Sequence, residues 1–206
     1  NEDYVIINNH LKCCGDGTID FSNTSDEENR RLSAVTLLKQ YIDSIFPFKR
    51  IIVVGDWNDI LDDPTTNNVF NSFLNDPDYL FVDFPIAFGY SANFSFPNWP
   101  SHLDHILISN ELYADFSKPN SEVSCIRIDD YMSSWNVYDN NISDHRPVGL
   151  KLEIDAVIAI TNEKETKDKK LIKLVDFFGR ETKTKNNTPL IYIYENGSVE
   201  KKAVIE

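Results

Sequence analysis

Asp56 and Asn58 stand two residues apart at the end of Ile51-Ile52-Val53-Val54-Gly55, an unbroken apolar run stopped by a glycine. Such a run reads as a buried strand, so the acid and the amide are presented at the lip of a sheet, where rigid backbone can aim them. Two later segments carry the same idea with histidine: Leu103-Asp104-His105-Ile106-Leu107-Ile108 and Ser143-Asp144-His145-Arg146-Pro147-Val148. Near the start, Asn9-His10 closes another strand-like stretch, residues 4–8. This set suits phosphoryl chemistry. Asp56 can orient or deprotonate a water, and Asn58 can donate to a phosphate oxygen. His145 can serve as a charged donor if a carboxylate such as Asp104 keeps it protonated. Asp144 offers a hard oxygen ligand to Mg²⁺, and His10 a second donor.

Each piece also has a plain explanation. Asp-x-Asn after a strand is a common Asx turn, and His10 can be a satisfied strand-end histidine. Ser143-Asp144-His145 looks like a compressed triad, but neighbours on an extended chain point to opposite faces. The same alternation separates Asp144 from His145. It also makes His102 and His105 diverge, which argues against a zinc pair.

The elements that position these residues follow from periodicity. Ser25-Asp26-Glu27-Glu28 reads as a capping box with Ser25 as the cap and Glu28 reaching back. Behind it Leu32, Val35, Leu38, Ile42 and Ile45 form one face of a helix that Pro47 ends. Strand, capped helix, strand is a βαβ crossover, and parallel pairing places His10 and Asp56 at one sheet edge. A short helix is expected over 67–74, and strands over 79–84, 103–108, 122–128 and 147–154. The aromatic loop 88–100 reads as core or rim packing, with a base-stacking platform as the alternative.

Composition sets the frame. The chain has 206 residues, 41% of them hydrophobic, with a net charge of −13. Residues 161–206 hold ten basic and eight acidic residues, and the first 160 hold ten basic and 25 acidic, a net of −15 there. That half lacks the cationic footprint of a tight nucleic-acid binder. Cys13, Cys14 and Cys125 form no metal-binding spacing, and adjacent cysteines bridge each other poorly.

Asn9-His10-Leu11, Gly55-Asp56-Trp57-Asn58, Leu103-Asp104-His105-Ile106 and Ser143-Asp144-His145-Arg146-Pro147 resemble, in order and spacing, the second half of the endonuclease/exonuclease/phosphatase superfamily. The resemblance covers about residues 4–154. It implies an α/β fold, the C-terminal half of a four-layer, DNase I-like sandwich. It implies phosphodiester hydrolysis dependent on Mg²⁺ or Mn²⁺, on a phosphoester such as DNA or RNA. By carry-over Asp56 activates the water, Asn58 and His10 contact the phosphate, Asp144 helps bind metal, and His145 paired with Asp104 stabilises the transition state. His105 stands where many members have Tyr. The family's metal-binding Glu has no counterpart ahead of His10, so the chain is expected to be a fragment, inactive by itself. A small-molecule phosphatase fits the charge better than a nuclease, and a non-catalytic binding protein is the rival from another class.

The tail, Lys173-Leu174-Val175-Asp176-Phe177-Phe178-Gly179-Arg180-Glu181 followed by Pro189-Leu190-Ile191-Tyr192-Ile193-Tyr194 and the hairpin pair Asn196-Gly197, is similar to part of a type IX secretion C-terminal sorting domain. It implies a partnership with the secretion machinery and a monomer that is secreted or held at the cell surface. The expected division is 1–155 for the main domain, 156–170 for a linker and 171–206 for a β module.

Overall fold

The strand β1 (Tyr4–His10) runs parallel to β2 (Arg50–Asp56), and its register sets His10 opposite Asp56. The helix α1 (Glu27–Ile45) makes the crossover between them. This is the βαβ unit expected from the apolar spacing. The computed structural model describes residues 3–154, 170–176, 179–184, 190–195 and 197–202. The chain forms two compact units, Asn1–Asp155 and Ala156–Glu206. Most of the expected linker, together with Phe177, Phe178, Pro189 and Asn196 of the tail pattern, lies outside the described residues.

In the first unit β3 (Tyr79–Phe81) and β4 (Asp104–Ser109) complete a four-stranded sheet of order β1-β2-β4-β3, with β4 antiparallel to both neighbours. One face carries Val5, Ile7, Ile51, Val53, Phe81 and Leu107, covered by Val35 and Ile42 of α1 and by Trp57, Phe70 and Phe73. The other face carries Ile52, Val54, Ile106 and Ile108. A two-stranded antiparallel ladder, β5 (Glu122–Cys125) with β6 (Val148–Lys151), packs there through Val123, Val148 and Leu150. Helix, sheet and second sheet are successive layers of an α/β sandwich, the DNase I-like class. On the second face Ile6 of the edge strand is 67% exposed, an apolar side chain left uncovered.

Short helices fill the connections: α2 (Asn71–Leu74), α3 (Phe84–Ala87), α4 (Tyr113–Phe116) and α5 (Trp135–Asn141). Several expected bounds shift. The strand expected over 79–84 stops at Phe81, because Asp83 turns inward and Phe84-Pro85 starts α3. The strand expected over 122–128 stops at Cys125, and Ile128–Tyr131 is a 3₁₀ turn. The 67–74 helix is confined to α2, and α5 was not expected.

The cap of α1 also differs. Asp26, not Ser25, is the N-cap, its side chain accepting from Asn29 N–H at 2.7 Å. Glu28 does not reach back; it is buried, accepting from the N–H of Gly17 at 2.7 Å and facing Arg31 at 3.2 Å. A tertiary donor and a guanidinium outcompete the local capping contact for this carboxylate. The second unit contains β7 (Leu171–Val175), β8 (Leu190–Tyr194) and β9 (Val199–Lys202), an antiparallel sheet in chain order with Val175, Leu190 and Tyr194 buried. Among the described residues no helix is long and apolar enough to cross a membrane.

Gly55 is the position on which the β1–β2 edge turns. It sits at φ +139°, and a Cβ there would lie 1.9 Å from the carbonyl oxygen of Asn9 on β1. Gly55→Ala is therefore expected to destabilise the fold by at least about 2 kcal/mol, read as a lower urea midpoint.

Candidate active site

Asp56 ends β2, and its Oδ2 lies 3.5 Å from Nε2 of His10 and 4.0 Å from Nε2 of His145. The other flank is set by β4, whose register pairs Asp56 with Asp104. Asp104 Oδ2 accepts from Nδ1–H of His145 at 2.7 Å. One carboxylate therefore faces two imidazoles, and one of these is held by a second carboxylate. His10, Asp56, Asn58, Asp144 and His145 all line a single cleft of about 680 Å³. The structure brings together every sequence-derived candidate, with Asp104 behind His145.

The alternation of Gly55-Asp56-Trp57-Asn58 explains how the strand end is held. Trp57 points down, fully buried, its ring edge-on to Phe70 and Phe81 at 5.6 and 5.4 Å. Its Nε1–H donates to the carbonyl of His105 at 3.0 Å, so the indole is anchored at both its apolar and polar ends. Asn58 lies at φ +54°, a left-handed conformation that asparagine tolerates. Its N–H donates to Asp56 Oδ1 at 2.9 Å, the Asx turn anticipated as the plain explanation, and its side-chain amide donates to the Leu11 carbonyl at 3.1 Å. The turn fixes the orientation of the carboxylate.

Electrostatics tune the group. Burial, and then the charge of Asp104, raise the Asp56 carboxyl above its usual value. The hydrogen bond to Asp104 raises His145 above the ordinary imidazole value, against the opposing effect of burial. Asp56, Asp104 and His145 present ligand atoms within 4.8 Å of one another. Asp144 is exposed in the cleft and stands outside that tight group. The segment at 144–145 is bent and precedes β6, so the extended-strand alternation that would send the two side chains to opposite faces does not apply.

Behind the cleft lies a layer that sequence reasoning missed. Asp83 is fully buried, with Oδ2 2.6 Å from His105 Nδ1 and 3.1 Å from His102 Nε2. His102 and His105 thus converge, contrary to the expected divergence, because His102 precedes β4 and is not in its pleat. They do not make a zinc site with Asp83. A 2.6 Å gap is too short for two ligands on one zinc, which tetrahedral geometry separates by roughly 3.3 Å. The second ring nitrogen of His105 donates to the Asp59 carbonyl at 2.9 Å, so both nitrogens donate and the ring is an imidazolium. Burial would raise Asp83, but the His105 charge and the two imidazole hydrogen bonds outweigh it and hold the carboxyl well below its usual range. Burial would lower His105, and the Asp83 charge outweighs it in turn.

Ser95, fully buried, joins this layer to the site. Its N–H donates to His102 Nδ1, its carbonyl accepts from Arg146 N–H at 2.7 Å, and its hydroxyl accepts from Asp104 N–H at 3.2 Å. One residue therefore fixes both the Asp104 backbone and the backbone next to His145. Arg146 is locked by two bonds to Asp129, at 2.9 and 2.6 Å. On the other wall Arg31 donates to Asp59 at 2.8 Å and faces Glu28, whose Oε2 is buried with no hydrogen-bond partner among the described residues. An arginine on the apolar stripe of α1 was the available signal for this network.

The endonuclease/exonuclease/phosphatase family pattern matches residues 27–145, more than half of the chain. The chain belongs to this family. Among solved structures it is similar to the mannosyl-6-phosphatase Bt3783 of Bacteroides thetaiotaomicron VPI-5482, at 16% identity and a TM-score of 0.42 over 74% of this chain. The chain spans about half of that protein, 52% of its length. No curated protein matches the chain.

The buried Asp83–His105 pair generates a stability prediction. His105 is raised, so its share is complete below 6.5 and lost as pH rises through the folded-state value. Asp83 is depressed, so its share is present above 3.8 and lost as pH falls through its folded value. Asp83→Asn is expected to cost about 3 kcal/mol or more in urea unfolding at pH 6. Its deficit against the native protein should narrow in alkaline solution.

Proposed function

We propose that this chain carries the water-activating and charge-stabilising side of a divalent-metal-dependent phosphoester hydrolase. Membership of the family gives phosphoester hydrolysis as the general activity. The observation that carries the assignment of roles is the Asp56 carboxylate between the His10 and His145 imidazoles, with His145 backed by Asp104. Asp56 orients and deprotonates the attacking water. His145, as imidazolium, donates Nε2–H to a phosphoryl oxygen where charge develops. His10 donates from the opposite side, and the second amide hydrogen of Asn58 supplies a further donor.

A divalent metal suits the donors. Burial and then the charge of Asp104 disfavour the ionised Asp56, and a cation in the cleft would offset both. Asp144, exposed in the cleft beside Asp56, is the oxygen ligand that would help hold Mg²⁺ or Mn²⁺. When bound, such an ion polarises the phosphoryl oxygen and steadies the leaving group.

On substrate, the cleft favours a small phosphoester over a nucleic acid. Among its described lining residues five are carboxylates, Glu28, Asp56, Asp59, Asp63 and Asp144, and the single arginine or lysine, Arg31, is already engaged. Burial and the charges of Asp59 and Asp62 push Asp63 up to about 6, a sign of crowded negative charge. A nuclease backbone needs cations along its track, so the nuclease version of this activity is the second reading. The tail β module supports export and display at the cell surface as the destination, on the sorting-domain likeness of its sequence alone.

The test uses the longest natural form of the protein. Hydrolysis of phosphomonoesters and diesters should vanish with a chelator and return with Mg²⁺ or Mn²⁺. Asp56→Asn should lose at least about 10²–10³-fold in rate while the unfolding midpoint holds. An unchanged rate in that variant removes Asp56 from its role.

A further inference from the structure

Cys13, Cys14, Gly15 and Gly17 wall the cleft beside His10, and no step above uses the two adjacent cysteines. Neighbouring side chains on an extended chain diverge, which ordinarily keeps vicinal thiols apart. Here Cys14 adopts φ +72°, and this turn brings its Sγ to 2.9 Å from that of Cys13. Both thiols are exposed, and both residues line the cleft. Lys12 Nζ stands 3.8 Å from Cys13 Sγ. The hydrogen bond from Cys14, helped by the Lys12 charge, holds the Cys13 thiol below its usual value, and the same contact holds Cys14 above. One thiol is thereby poised to attack and the other to resolve.

We propose that Cys13 and Cys14 are a redox pair that closes to a disulfide across their own peptide bond, and that closure re-seats the cleft wall. The oxidant is hydrogen peroxide. The Cys13 thiolate attacks one peroxide oxygen, the O–O bond breaks, and the departing hydroxide takes a proton and leaves as water. The Cys14 sulfur then attacks the Cys13 sulfenic sulfur; S–S forms, S–O breaks, and a second water leaves with the Cys14 proton. Two thiols are oxidised by two electrons, and one peroxide is reduced to two waters. A dithiol reductant reverses the change.

The consequence for the wall follows from what the backbone of this pair holds. Arg31 Nη1 donates to the carbonyls of Lys12 and Cys14, both at 2.8 Å, and these carbonyls flank the pair. The upstream end is pinned: Leu11 N–H donates to the Asp56 carbonyl at 2.9 Å, and Leu11 C=O accepts from Asn58. Ring closure rotates the intervening peptide, and the displacement is taken up downstream, where Gly17 N–H rests on Glu28. The device is independent of the phosphoester reading, since it concerns thiols and backbone alone.

The experiment treats the full chain with hydrogen peroxide and then maps alkylation by mass spectrometry. The peptide holding both cysteines is expected to lose the mass of two hydrogen atoms, resist alkylation, and recover both thiols with dithiothreitol. Cys125, half-buried with its thiol pushed up to about 11, is the internal reference and should remain alkylatable after unfolding. Sulfinic Cys13 with no such peptide, or cross-links to Cys125 or between chains, overturns ring closure. Amide hydrogen exchange tests the wall: oxidised protein should lose protection at Gly17, and Cys14→Ser treated identically should keep it. Undiminished protection in the disulfide form overturns the re-seating.

Discussion

The register of β2 is the constraint on which the rest of the site depends. Asp56 is paired with His10 on one side by a parallel ladder and with Asp104 on the other by an antiparallel one. Three polar strand ends separated by long stretches of chain are thus brought together by the backbone ladders. A slip of one residue in either ladder would turn those side chains to the opposite face. Gly55 permits the close approach of the β1 backbone, and Trp57 fastens the strand end to the aromatic core. The loop bearing His145 meets this frame through the bond from its Nδ1–H to Asp104.

The chemistry of the site is supported by a second, buried electrostatic layer. Asp83 and imidazolium His105 form an ion pair with its hydrogen bonds satisfied, and Asp83 also accepts from Ile106 N–H at 2.7 Å. Such a pair adds little to stability relative to apolar packing, and breaking it is costly. Its value here is positional. His102 receives Ser95, and Ser95 reaches Asp104 and Arg146, so the order of the core is handed directly to the Asp104–His145 pair. Preorganised dipoles and charges of this kind are what electrostatic stabilisation of a transition state requires.

Much of this was legible in the sequence, for a definable reason. The apolar runs before Asp56 and after Asp104 are long, β-branched and bounded by polar residues, so strand and strand end could be read together. Local patterns failed wherever a tertiary partner intervened. Ser25 to Glu28 satisfied a capping rule, yet Glu28 found Arg31 and Gly17 instead. His102 and His105 were judged by the pleat of a strand that His102 does not belong to. Asp83 gave no signal, because its partners lie about twenty residues away and no local periodicity encodes them. The α5 helix, capped by Ser134, lies in a polar stretch whose apolar positions are too few to announce it.

The central claim is that Asp104 holds the His145 imidazole above its ordinary value, facing the carboxylate of Asp56. The most direct measurement is an NMR titration of the His145 ring in the intact chain and in Asp104→Asn. The imidazole should titrate above its ordinary value of 6.5 and fall when Asp104 loses its charge. A His145 that titrates at or below 6.5, or that ignores the substitution, would contradict the account.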